Sequence, residues 1–97
     1  MSAQLPIDPL TGDKKYGTIE EQTERILKNI DLILNEAGSG KDNIIKTTVY
    51  LTDMSLWDNV NNTYNDFFQS HKPARTIVSV KEIHFGFNVA IEAIAGQ

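Results

Sequence analysis

Arg75 is the residue whose type and setting most need a chemical explanation. It follows Pro73 and Ala74 at the head of an apolar run, where a planar guanidinium fork must meet a carboxylate, a phosphate or a partner chain. Spacing alone favours an ion pair with one of the thirteen acidic residues over a bound ligand. Glu92 poses the converse problem inside the apolar run from Val89 to Ala95, and composition assigns it to structure or an interface before catalysis. Asn61 follows the apolar position Val60, so it either reaches the edge of a cleft or remains a solvated helix amide. His71 and His84 fall in turn segments beside Pro73 and Gly86. With no acidic or hydroxyl partner at a telling spacing, both read as solvated or capping imidazoles.

Whole classes of chemistry drop out by composition. The chain has no cysteine, which removes disulfide scaffolds, thiolate nucleophiles and sulfur-ligated metals together. The two histidines are separated by thirteen positions without an acidic helical pattern between them, so no metal site is expected. Nine basic against thirteen acidic residues give a net charge of −4 and a pI near 5.0, a field unsuited to phosphate backbones. Lys14 and Lys15 are too few to form a basic patch. No basic stretch leads into an apolar run at the N-terminus and nowhere do eighteen apolar residues follow one another, so the expected setting is the cytoplasm, away from membranes. Ninety-seven residues with 40% hydrophobic content provide one core, and residues 1–97 read as a single domain.

Two helices and three or four strands must position these groups. Thr18 with Glu21 is a capping-box pair, after which Ile19, Ile26, Leu27, Ile30, Ile33, Leu34 and Ala37 draw one apolar stripe that stops at Gly38. From Ile44 the period becomes 2, with Ile45, Thr47, Val49 and Leu51 opposite Lys46, Thr48, Tyr50 and Thr52. Ser55 with Asp58 suggests a second cap. Trp57, Val60, Tyr64, Phe67 and Phe68 then repeat a helical spacing up to about Ser70, before Pro73, and are assigned to the core. Arg75 to Val80 alternates as a strand and Phe87 to Ala95 is a final apolar strand, the two expected to close as a hairpin through a turn at Phe85 and Gly86. Ala3 to Ile7 is a strand stub that needs a pairing partner, from a neighbouring chain or from sequence ahead of Met1. Strands alternating with helices predict parallel neighbours and right-handed crossovers, with helices against a sheet.

Several segments occur together and in order: Ser2-Ala3-Gln4-Leu5-Pro6 with Asp8-Pro9 and Thr11-Gly12, Lys46-Thr47-Thr48-Val49, Val60-Asn61, His71-Lys72-Pro73-Ala74-Arg75, and Ile91-Glu92-Ala93-Ile94-Ala95. In these the chain resembles the RidA (YjgF) family, also known as the endoribonuclease L-PSP family, over Ser2 to Ala95. The resemblance implies an α+β, two-layer, chorismate-mutase-like fold, with two helices on one face of a mixed sheet. It further implies a homotrimer with ligand clefts between subunits, no cofactor, and hydrolytic deamination of reactive 2-imino or enamine acids to 2-keto acids and ammonia. Carried over by position, Arg75 is the catalytic-site residue that grips the substrate carboxylate, Asn61 stands near the cleft, and the backbone amide of Ile77 contacts the carboxylate or carbonyl. Ser2 and Ala3 match a serine-glycine pair that lines the pocket, where alanine for glycine adds a methyl and restricts the backbone.

Three further departures qualify the expectation. The family has cysteine at the Ile77 position, a change that a backbone contact survives. Members usually carry two further strands and a pocket tyrosine ahead of the serine-glycine pair, so the chain is expected to lack that N-terminal hairpin. Where the family places a glutamate that positions the attacking water, this chain has Ala90, and Glu92 matches the more structural glutamate two residues on. The sequence therefore leaves two principal expectations: a deaminase of weakened efficiency, and a non-catalytic trimeric binder of small 2-keto or carboxylic acids. Ribonuclease or translation-inhibitor activity, which the older family label suggests, is disfavoured by the acidic charge and the lack of a paired histidine constellation.

Overall fold

The computed structural model describes residues 3–96. Helix α1 (Ile19–Glu36) begins where the capping box predicts: the Glu21 amide donates to Thr18 Oγ1 at 3.1 Å and the Thr18 amide donates to Glu21 Oε1 at 3.2 Å. Its other end closes through Gly38 at φ +77, with the Ser39 amide reaching back to the Leu34 carbonyl at 2.8 Å, a left-handed stop that suits glycine. Strand β1 (Ile44–Leu51), helix α2 (Trp57–Phe68), strand β2 (Ala74–Ser79) and strand β3 (Val89–Ala95) follow. Both helices lie on one face of a three-stranded mixed sheet of order β2-β1-β3, so the architecture is α+β as expected.

Strands β1 and β2 are parallel, joined by α2 as a crossover, with Thr47 beside Arg75 and Val49 beside Ile77. Strand β3 is antiparallel to β1 and does not form the expected hairpin with β2, because it pairs on the other side of β1. Residues 80–88 are too long a connection for a tight turn, and central placement of β1 gives both of its edges a partner. The stub, expected to take its partner from a neighbouring chain or from sequence ahead of Met1, pairs instead with β3 of its own chain. Gln4 exchanges two backbone hydrogen bonds with Ile91 on the outer edge of β3, at 2.7 and 3.2 Å. The Asn29 amide of α1 also holds it, donating to the Leu5 and Ile7 carbonyls.

The core joins Ile26, Leu27 and Ile30 of α1, Val60, Tyr64 and Phe68 of α2, and Val49, Leu51, Val89, Ile91 and Ala93 of the sheet. Three other details differ from expectation. A bulge between Ile44 and Lys46 turns Ile44 inward and leaves Ile45 exposed, shifting the alternation by one at the start of β1. Ile33 and Ala37 fall on the predicted stripe yet are exposed, since nothing among the described residues packs over that side of the last turn of α1. The second helix is preceded by Asp53, not Ser55: its carboxylate accepts from the Ser55 amide at 2.9 Å and a 3₁₀ turn, Met54–Leu56, leads into α2. No helix of the described residues is long and apolar enough to cross a membrane.

Candidate functional site

Arg75 projects from β2, an edge strand, on the same face of the sheet as α2. Alternation within the strand decides where its backbone points. The Val80 amide donates to the Leu51 carbonyl at 2.9 Å, so Thr76 and Val78 direct their N–H and C=O groups into β1. Arg75, Ile77 and Ser79 therefore direct theirs outward, at an edge with no partner strand among the described residues. The Ile77 amide and the Arg75 guanidinium thus share one open border of the molecule.

The guanidinium is held from two sides. Arg75 Nη1 donates to Asn61 Oδ1 at 2.8 Å, and Cζ lies 4.6 Å from the Trp57 ring centroid and 4.9 Å from that of Tyr64. Among the described residues no carboxylate forms an ion pair with it, so the bland expectation of a structural salt bridge is replaced by an amide and two aromatic faces. The remaining guanidinium N–H groups have no protein acceptor among those residues. The Tyr64 hydroxyl sits 2.8 Å from Thr47 Oγ1 in the buried layer beneath. Burial pushes its pKa above the ordinary 10.0, against the opposing pull of the Thr47 hydrogen bond and the Arg75 charge.

Trp57 and Tyr64 were expected in the core. Tyr64 is there, but Trp57 is half-buried and its ring faces Arg75. The sequence did carry a usable signal: Trp57, Asn61 and Tyr64 are spaced by four and three, which places all three on one side of α2.

The other expected pocket residues lie elsewhere in the chain. Ala3 precedes Gln4 on the outer edge of β3, three inter-strand steps or about 14 Å from β2. Ala90 pairs with Tyr50 and belongs to the sheet face opposite the helices, as does Glu92, which pairs with Thr48. Ser2 lies outside the described residues. One chain therefore brings together Arg75, Asn61 and Ile77, and separates them from Ala3 and Ala90. His71 Nε2 is 2.8 Å from the Ile44 carbonyl and caps the start of β1, while His84 is exposed and packs on Phe85 at 3.9 Å between ring centroids. A groove of about 440 Å³ between the loop of Asp8 to Lys15 and α1 shares no residue with the Arg75 edge, and its Lys15–Glu21 and Lys28–Glu24 pairs neutralise one another.

A three-stranded sheet backed by two helices, with an arginine on its open border that has no carboxylate partner among the described residues, defines a small α+β fold. The endoribonuclease L-PSP family profile matches residues 1–97, and the chain belongs to that family, the RidA (YjgF) proteins. A RutC family protein of Pyrococcus abyssi is 41% identical over 95 residues, covering 98% of this chain and 75% of the relative. A 2-iminobutanoate/2-iminopropanoate deaminase of Mus musculus is 40% identical over 97 residues, covering all of this chain and 72% of that enzyme. Among solved structures, the conserved Rid family protein YyfA of Yersinia pestis superposes with a TM-score of 0.95 at 45% identity, over 99% of this chain and 77% of its own. The family thus includes imine deaminases.

Proposed function

We propose that this protein hydrolyses reactive 2-imino or enamine acids of the 2-iminobutanoate and 2-iminopropanoate class to 2-keto acids and ammonia, in the cytoplasm. The observation that carries the reading is an Arg75 guanidinium without a carboxylate partner among the described residues, presented beside the outward Ile77 amide. Together they supply a charged fork and a backbone donor for one carboxylate. The deaminase names of relatives such as the mouse protein support the choice of substrate.

The reaction adds water to the C=N carbon and releases the nitrogen as ammonia, leaving C=O in place of C=NH. Arg75 contributes orientation: with the carboxylate fixed, the adjacent electrophilic carbon is fixed too. The separation of Ala3 and Ala90 from the Arg75 edge supports a homotrimer in which the Ala3–Ala90 side of one copy closes the cleft over Arg75 of the next. The exposed border of β2 offers unpaired backbone groups to such a neighbour.

A second reading is favoured by Ala90. A methyl group cannot take a proton from water, and a positioned general base is worth about 10²- to 10⁴-fold, so the same cleft serves a trimeric binding protein for small 2-keto or carboxylic acids without turnover. One assay separates the two. With 2-iminobutanoate generated from 2-aminobutyrate by an amino acid oxidase, the deaminase reading requires ammonia release faster than the buffer control. A folded trimer that binds 2-ketobutyrate and leaves that rate unchanged establishes the binder instead.

A further inference from the structure

An arginine on an edge strand ordinarily explores many rotamers, and fixing one on ligand binding costs conformational entropy. Here that freedom is already restricted. The Tyr64 ring is anchored by its hydroxyl contact with Thr47 and by its place in the core. Trp57, the only tryptophan in the chain, opens α2 and packs half-buried against the same core. Both rings approach the Arg75 Cζ within 5 Å, while the bond from Nη1 to Asn61 fixes rotation about the guanidinium axis. Stacking on aromatic faces leaves the N–H edge of a guanidinium free for a bidentate carboxylate.

We infer that Trp57 is a positioning residue for the Arg75 site, its indole holding the guanidinium so that the N–H edge faces the open border of β2. The inference rests on the reading of Arg75 as the carboxylate holder, but the orientation itself is measurable without any ligand. Indole is the strongest of the aromatic partners for a cation, and Trp57 sits at the rim, where its removal leaves the buried Tyr64–Thr47 pair in place.

The chain has only two arginines, Arg25 and Arg75, so nitrogen-15 labelling gives two Nε–Hε signals, and loss of one in Arg75→Lys assigns it. In the wild type the Arg75 signal is expected upfield, displaced by the ring currents of Trp57 and Tyr64. Trp57→Leu should return it part of the way to the position of a solvated arginine, leaving the share that Tyr64 supplies, and Trp57→Phe should keep most of the displacement. Calorimetric titration with 2-ketobutyrate should show about five- to tenfold weaker binding in Trp57→Leu, restored to within about twofold in Trp57→Phe. In ammonia release KM should rise by the same factor with kcat unchanged. An Arg75 signal that is undisplaced in the wild type, or unmoved by Trp57→Leu in a folded protein, overturns the inference. A displaced and Trp57-dependent signal in a wild type that binds no 2-ketobutyrate overturns the carboxylate reading alone, with the indole still holding the guanidinium.

Discussion

Arg75 spends one guanidinium N–H on the Oδ1 of Asn61, 2.8 Å away across the gap between β2 and α2, and its other donors meet no acceptor among the described residues. A neutral amide, unlike an aspartate, orients the cation without cancelling its charge. Arg75→Ala should therefore abolish measurable 2-ketobutyrate binding, and Arg75→Lys should weaken it about tenfold, because an ammonium cannot reproduce the planar fork. Asn61→Asp should also weaken binding, since a carboxylate at 2.8 Å would neutralise Arg75 as an internal ion pair. Calorimetry on the three variants checks the order. Retained affinity in Asn61→Asp would mean that the charge of Arg75 is not what holds the ligand.

Beneath the arginine, Tyr64 and Thr47 form a closed hydroxyl pair in the buried layer, each nearly inaccessible to solvent. Tyr64→Phe should destabilise the protein by about 1–2 kcal/mol, by leaving the Thr47 hydroxyl without its partner. Adding Thr47→Val should recover part of that loss, because the pair is then replaced by apolar groups of similar shape. Urea unfolding of both singles and the double gives the coupling; additivity would show the contact to be energetically empty.

Acid should loosen the framework by a definable route. The Thr18 amide first, and Lys15 second, hold the Glu21 carboxyl below its ordinary 4.5, while the Leu10 and Thr11 amides lower Asp8 and the Ser55 hydroxyl and amide lower Asp53 from 3.8. A carboxylate held low in the fold contributes stability that is present above its unfolded pKa and is lost as pH falls through the folded one. The melting temperature should fall as pH drops below about 4.5. Glu21→Gln should melt lower than wild type at pH 7, with the difference closing once Glu21 is protonated. A gap that persists unchanged in acid would detach the effect from its charge.

Gly17 adjoins the same capping box at φ +35, and a methyl group added there would meet Glu21 Oε1 at 2.8 Å. Gly17→Ala should cost about 1–2 kcal/mol in urea unfolding, through backbone strain and a displaced capping carboxylate. An unchanged midpoint would show that the loop ahead of α1 shifts freely.

The helices were the most legible part of the sequence because their signals are local: a hydroxyl and a carboxylate three apart, a glycine at the stop, and aromatics at three-and-four spacing. Strand pairing was less legible. Alternation identifies a strand but not its neighbour: chain order suggests β3 beside β2, whereas its apolar inner face, Val89, Ile91 and Ala93, extends the layer begun by Val49 and Leu51. The bulge at Ile45 leaves no mark on the sequence, because either Ile44 or Ile45 fills an apolar position equally well in a one-dimensional pattern. Within the candidate site, the sequence singles out Arg75, Asn61 and Ile77 but assigns Trp57 and Tyr64 only to the core, and the structure sets both rings against the Arg75 guanidinium. A ring with one face packed and the other under a cation has the same sequence signature as a ring wholly inside.

The outward amide of Ile77 separates a backbone role from a side-chain role. Proline at an edge-strand position whose N–H faces away from the sheet removes that donor without removing a ladder hydrogen bond. Ile77→Pro should therefore leave a folded protein whose 2-ketobutyrate affinity falls about tenfold, the loss of one hydrogen bond to a charged group. Ile77→Cys and Ile77→Val, which keep the amide, should bind within about twofold of wild type. Thr76→Pro is the contrasting control: its N–H points into β1, so it should unfold at markedly lower urea. If Ile77→Pro folds and binds as the wild type does, the amide takes no part and Arg75 holds the anion with side chains alone. If Ile77→Cys and Ile77→Val lose as much affinity as Ile77→Pro, the side chain is what the ligand touches, and the outward turn of the backbone at this edge has no bearing on binding.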